Sequence, residues 1–350
     1  MMKAKGNREG FPWYGWALGA AGTLAALLLC VCLGSVKLPL ADTWTVLWRA
    51  LLGRPVPDGL PRAIILSIRL PRVLAAGLSG GALSLCGAAM QGLLRNPLAD
   101  GSTLGVSSGG ALGAALAIVL GIAVPGVPLA GSVVLAMLFS FASLMMILSL
   151  AYAMDRTLST QTILLIGVVF SMLASAMLSL LIAFSGEKLR SITFWTMGSL
   201  SGRDYTHVLI LLGGLTVFGG MLLGRGRELN AFAVGEENAR HVGVPIRRVK
   251  MLVMIASSAL IGLCVSVGGS IGFVGLIVPH IVRLITGPNH RKLLPASLFS
   301  GAVFLMLADL LARTALSPVE LPVGVVTSLI GAVLFVCIFY RSRKGGKKPC

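Results

Sequence analysis

Charge is scarce in this chain. Asp, Glu, Lys and Arg make up 12% of its 350 residues, and only 12 of them are acidic. A water-soluble protein carries about a quarter. The shortage is uneven: stretches 73–94, 104–124 and 161–184 hold no Asp, Glu, Lys, Arg or His, and 13–34 holds only Tyr14, Cys30 and Cys32 as ionisable groups. About 20 apolar helical residues cross a hydrocarbon layer, and a charge at its centre costs several kcal/mol. With 56% hydrophobic residues and a mean hydropathy of +0.92, the chain reads as an all-α integral membrane protein.

Other absences narrow what it does. Proton-driven transporters place acids or histidines deep in their helices. Here Asp309 is the only acid well inside an apolar run, and His280 and Arg283 share one Val278–Arg283 turn. This leaves a proton-coupled secondary transporter without its relay. No pore-filter sequence is present, which argues against an ion channel. No Gly-x-x-x-x-Gly-Lys-Ser/Thr occurs, so the chain does not hold ATP in a phosphate loop. The net charge of +17 forms no aromatic-interleaved basic stripe, so nucleic acid is not an expected partner. Five of the six cysteines lie in apolar runs, where a thiol packs as a small hydrophobe, and Cys30-x-Cys32 has no His or second Cys pair to complete a metal site. The first apolar run is too long for a cleavable leader and reads as a first span.

Runs bounded by Gly, Pro and charge give ten crossings: 13–34, 73–94, 104–124, 129–154, 161–184, 205–223, 249–270, 271–286, 294–314 and 322–340. A short amphipathic piece at 191–201 reads as a half-helix or surface helix. Ten crossings put both termini on one side. Roughly two-thirds of the 29 basic residues then fall on that side, which the positive-inside rule assigns to the cytoplasm. The expectation is one transmembrane domain over 1–350, with cytoplasmic segments 1–12, 225–248 and 341–350. Six basic residues crowded into 35–72 run against that rule.

Clusters such as Gly77-x-x-Gly80-Gly81, Gly109-Gly110-x-x-Gly113 and Gly268-Gly269-x-x-Gly272 suit close helix packing in lipid more than a direct role toward cargo. Segment 225–248 is too polar to span and too apolar to be unfolded. Leu229, Phe232, Ala233, Ala239 and Val242 fit two short helices broken at Gly235, with Gly243 as a stop and Pro245 after it. Its apolar face suits either a protein groove or the lipid surface.

Several motifs carry a resemblance to a known family. They are Arg69-Leu70-Pro71-Arg72, Gly87-Ala88-Ala89-Met90-Gln91, Arg95-Asn96-Pro97-Leu98-Ala99-Asp100, Phe194-Trp195-x-x-Gly198-Ser199-Leu200, Gly272-Phe273-x-Gly275-Leu276-x-x-Pro279-His280-x-x-Arg283, Ala308-Asp309-x-x-Ala312-Arg313 and Glu320-Leu321-Pro322-x-Gly324. In this order they resemble the FecCD-type permeases of type II ABC importers, which take up iron–siderophores, haem and cobalamin. The resemblance covers roughly residues 62–340.

It implies a homodimer, or a pair with a paralogous permease, with the pathway at the subunit interface. Two ATP-binding subunits, carrying ATP and Mg, would dock on the cytoplasmic side, and a substrate-binding protein on the other; this chain would hold no cofactor and no metal. Family positions imply that Arg69, Arg72 and Arg313 face outward toward the binding protein. Asn96, Leu98, Ser159 and Thr160 match the cytoplasmic gate, and Asn96-Pro97 suits one, since Pro denies the helical region to the residue before it. Leu229, Asn230, Gly235, Glu236, Ala239, Arg240 and Gly243 match the coupling segment. Pathway walls are expected from the third, fifth and eighth spans, including Ser107, Ser108 and Gly109. The expected cargo is a ferric siderophore, with cobalamin or haem as the alternative.

Overall fold

The computed structural model describes residues 10–345 apart from 37, 57, 101–104 and 123–129; the expected N-terminal and C-terminal tails lie largely outside them. The described chain is helical throughout. Its elements are α1 (Trp13–Cys32), α2 (Leu40–Leu51), α3 (Leu60–Leu93), α4 (Val106–Leu120), α5 (Ala130–Met154), α6 (Thr160–Ala183), α7 (Leu189–Thr196) and α8 (Tyr205–Leu223). They continue with α9 (Gly226–Val234), α10 (Glu236–His241), α11 (Ile246–Gly268), α12 (Val274–Thr286), α13 (His290–Thr314) and α14 (Val323–Gly345). Seven of these are long and apolar enough to cross a membrane, and α4, α12 and α14 contribute shorter apolar stretches, which makes the ten spans read from the sequence. An even number of crossings puts the start of α1 and the end of α14 on one face, called here the terminal face.

Two departures lie on the opposite face. The second span starts at Leu60, not 73, because Arg62, Arg69 and Arg72 ride on the helix instead of ending it. Residues Ala63–Arg69 form a π turn ahead of Pro71; such turns recur at functional positions. The gap between α1 and α3 also contains α2, an amphipathic helix whose exposed Leu40, Trp44, Trp48 and Leu51 form one stripe. Trp44 and Trp48 stack at 5.8 Å, the arrangement expected where aromatic rings meet a headgroup layer.

Helix α3 is the axle of the bundle, buried almost continuously from Pro71 to Leu93. Its glycines set the spacing to its neighbours. A methyl at Gly80 would stand 2.3 Å from the Gly301 carbonyl on α13, and one at Gly87 would stand 1.9 Å from the Gly275 carbonyl on α12. Backbones this close gain dispersion contacts that lipid tails cannot reach. The same helix also repairs α12. Pro279 has no N–H to give the Gly275 carbonyl. Gln91 Nε2 takes that place, donating to Gly275 O at 3.2 Å and Leu276 O at 3.1 Å, while Gln91 Oε1 accepts from Arg283 at 3.1 Å.

Candidate functional site: a furrow between two polar ends

On the opposite face, helix ends and charges satisfy one another. The last carbonyls of α1 have no partner within the helix. Arg69 Nη1 donates to Val31 O at 3.0 Å and Cys32 O at 3.1 Å, and its Nη2 donates to Val36 O. Arg313 Nη2 donates to Cys30 O. Two cations thus close the negative end of α1. Arg72 joins α3 to two carboxylates: its Nε is 3.0 and 3.1 Å from the Asp309 oxygens, and its Nη1 is 3.0 and 2.8 Å from those of Glu320. Arg313 Nε lies 3.6 Å from Asp309 as well.

The three arginines therefore differ from their expected outward aim. They are 4%, 6% and 3% exposed for Arg69, Arg72 and Arg313, because α1, Asp309 and Glu320 use their donors inside the subunit. The exposed cations on this face are others, among them Arg49, Arg54, Arg62 and Arg190.

Between the faces runs an open furrow with a cavity of about 950 Å³. Its long wall is one stripe of α14: Val325, Ser328, Leu329, Ala332 and Val333, at helical spacing. Leu276 of α12 and Phe273 just before it, Thr196 and Met197 at the end of α7, and Leu98 complete it; Asp100 is its only charged residue among those described. Gly198, Gly269 and Gly324 lock the wall together. A methyl on Gly198 would stand 2.5 Å from Ser270 O, one on Gly269 2.3 Å from Trp195 O, and one on Gly324 2.3 Å from Met197 O. Ser199 N donates to Gly268 O at 2.8 Å across the same joint. Just beyond it Phe273 holds a left-handed φ of 68° with its side chain against Gly331. That conformation costs a residue with a side chain about 1–2 kcal/mol, a strain characteristic of functional segments.

The pathway residues read from sequence divide here. Ser107 lines a small enclosed void of about 50 Å³ with Ser270–Phe273, adjoining the furrow. Ser108 is half-buried and lines neither space. Gly109 faces away: a methyl there would stand 1.8 Å from Ser143 Oγ on α5. It is a packing residue, as small residues in lipid usually are. The main wall is α14, a span that had drawn no site residue.

On the terminal face Asn96 makes a turn, its Oδ1 accepting from Leu98 N at 2.9 Å, and this turn holds half-exposed Leu98 on the furrow. Ser159 and Thr160 lie elsewhere, at the start of α6, and line no part of the furrow. Ser159 caps α6 by accepting from Thr162 N at 3.3 Å. The preceding turn is built on Asp155, whose Oδ1 accepts from Thr157 N at 2.8 Å and Oδ2 from Ser159 N at 3.0 Å. Hydrogen bonds from Thr157, then Ser159, hold that carboxyl well below the usual carboxylate range.

The segment expected to couple to the ATPase breaks at Gly235, φ 131°, into α9 and α10, and Gly243, φ 83°, stops α10. Its faces differ from expectation. Leu229, Phe232 and Ala239 turn inward and are fully buried, because only this apolar stripe can seat the segment on the bundle. Asn230 is also engaged, its Oδ1 accepting from His290 N at 2.7 Å and its Nδ2 donating to Asn289 at 2.8 Å. Val234 and Val242, 71% and 74% exposed, form the outward apolar face, with Glu237 and Arg240 beside them.

Sequence reading missed Lys250. It is 1% exposed, donating to Leu158 O at 2.9 Å and to Glu236 at 2.8 Å. The signal was its spacing, since Lys250 falls in line with Met254, Ser257 and Ile261, all buried.

Comparison with known proteins agrees with this architecture. The model of the FecCD transport family matches residues 22–341. The uncharacterized ABC transporter permease protein YvrB of Bacillus subtilis is 40% identical, over 95% of each chain. The cobalamin import system permease protein BtuC of Halobacterium salinarum is 39% identical, over 91% of this chain and 84% of its own. A solved transporter described as of the metal-chelate ABC type, in an inward-facing conformation, superposes with a TM-score of 0.81 at 33% identity, over 93% of this chain and 98% of that one. Ten apolar spans, a furrow with no charge but Asp100 among the described residues, and a two-helix segment on the terminal face thus meet in one conclusion: the chain belongs to the FecCD transport family and is a multi-pass membrane permease of an ABC importer.

Proposed function

We propose that the chain is half of a conduit that passes a bulky metal chelate into the cytoplasm, worked by separate ATP-hydrolysing subunits. The observation that carries this is the furrow, whose apolar wall stands open along α14 with no described element of the same chain covering it. A second permease chain, identical or paralogous, closes it into a pathway. Apolar walls suit a cargo that must leave as readily as it enters, since affinity in the lumen would slow release. Recognition then rests with an extracytoplasmic binding protein that docks on the opposite face. The exposed Arg49, Arg54 and Arg190 offer it a basic rim, which speeds encounter and sets register more than it adds affinity. The buried Arg69, Arg72 and Arg313 hold that rim in shape.

The terminal face is cytoplasmic in this reading, and Val234 and Val242 enter a groove on the ATPase. ATP binding draws the two ATPase subunits together and moves α9 and α10, and the bundle opens at one end as it closes at the other. ATP and Mg are bound by those subunits.

A ferric siderophore is the cargo read from the sequence motifs, with cobalamin or haem as the alternative; permeases named for cobalamin and for hemin are 39% and 38% identical to this chain. Liposomes holding this chain, its ATPase and its binding protein distinguish them by uptake of labelled ferric siderophore, labelled cobalamin or labelled haem. ATP-dependent entry of one of these chelates is the expected result. Entry driven by a pH gradient without the ATPase would overturn the importer reading in favour of a secondary transporter.

A further inference from the structure

Lys250 is an ammonium buried at the fifth position of a membrane helix, and its two partners belong to different bodies. One is Glu236, the first residue of α10, whose carboxylate lies 2.8 Å away. The other is the Leu158 carbonyl at 2.9 Å, in the turn that leads into α6. Thr160 Oγ1 adds a longer contact of 3.4 Å to Glu236 Oε1.

That turn is stiff. Leu158 holds a left-handed φ of 52° with its side chain 2% exposed, and Asp155 fixes the residues on both sides of it. Ser159, next in the chain, caps α6. A push on Leu158 is therefore a push on the N-terminus of α6 as a rigid piece.

A buried ion pair is a poor device for stability alone. Desolvating both charges offsets most of their attraction, and apolar replacements are often as stable. Its consequence here is geometric, because a single three-donor ammonium holds a carboxylate of the coupling segment and a carbonyl of the α6 turn at fixed separation. We infer that Lys250 is a positioning residue of transport: through Glu236 and the Leu158 carbonyl it transmits movement of α10 to the cytoplasmic end of α6. This rests on the importer reading above, and it explains why Ser159 and Thr160 match gate positions while lying off the furrow. They stand at the driven end of a lever.

The test uses the full complex with its ATPase in lipid nanodiscs and needs no cargo. An environment-sensitive fluorophore is placed at His241→Cys on α10, or at Gln161→Cys on α6, both exposed positions, in a background lacking other reactive cysteines. Trapping the ATPase with ATP and vanadate is expected to shift both probes in the otherwise native chain. In Lys250→Met the His241 probe still shifts and the Gln161 probe does not; Lys250→Arg, which keeps the charge and has N–H donors for both partners, restores it. The double variant Lys250→Met/Glu236→Leu removes both charges, so it folds and assembles yet leaves the Gln161 probe silent.

An undiminished Gln161 response in both the single and the double variant overturns the inference while leaving the importer reading intact. So does loss of assembly in every variant, which would make the pair a folding element only. If neither probe moves in the native complex, the importer reading itself fails.

Discussion

Removing the Arg72 guanidinium tests how the opposite face is held. In Arg72→Met the methylene stem is largely replaced but both carboxylates lose their partner. Glu320 is 36% exposed at its side chain and rehydrates at little cost. Asp309 is 1% exposed and cannot. Orphaning one member of a buried pair costs about 3–5 kcal/mol. Arg313, 3.6 Å away, partly compensates, which places the expected loss near the low end, about 3 kcal/mol. Adding Asp309→Leu removes the stranded charge, so the double variant recovers most of that loss, and the coupling energy from the cycle is of the same size. Unfolding of the purified permease in mild detergent, followed by Trp fluorescence against denaturant, gives the four stabilities. A single-variant loss below about 1 kcal/mol, the value of an exposed pair, would refute the argument, as would additive losses.

Three more outcomes follow from the geometry. Gly87→Val places a side chain where the Gly275 carbonyl lies 1.9 Å from even a methyl, so α3 and α12 must separate; the permease should lose several kcal/mol of stability by the same unfolding assay, while Gly22→Val, with nothing within 4 Å, should change little. Val234→Asp with Val242→Asp should weaken capture of the ATPase by roughly 5- to 30-fold, from about 1–2 kcal/mol of lost apolar burial, with melting temperature unchanged, because both side chains are solvent-facing in the lone chain. The Asp155 cap has a depressed pKa, so its stabilising effect is complete above the ordinary carboxylate pKa and fades only as pH falls through the lower folded value. The protection of amides at the start of α6, taken relative to the intrinsic exchange rate at each pH, should therefore be alike at about pH 7 and about pH 5, whereas Asp155→Ala should lower it at both.

What the sequence disclosed and what it hid follow one division. Runs without charge revealed the ten spans, since lipid forbids charge wherever it is not matched. The break at Gly235 was legible because glycine, a flanking apolar pattern and a following proline act locally. Direction was not. The outward aim of Arg69, Arg72 and Arg313 came from the family resemblance and not from their neighbours in sequence; their partners Val31, Asp309 and Glu320 lie up to hundreds of residues away and have no local signature. Gly109 shows the reverse error, since a small residue is the same letter whether it faces a lumen or Ser143. The α14 stripe escaped notice for a related reason: Val, Leu and Ala facing an open furrow match Val, Leu and Ala facing lipid.

The glycine joint at 198, 269 and 324 bears on any attempt to retool the conduit. Main-chain atoms set its spacing, so no side-chain swap there can be absorbed by a neighbour's rotamer. Variation aimed at admitting a different cargo belongs on Ser328, Leu329, Ala332 and Val333, where the wall can change shape one position at a time. A library that spares those three glycines keeps its hinge pins while changing the lining, and one that randomises them should return mostly unfolded chains.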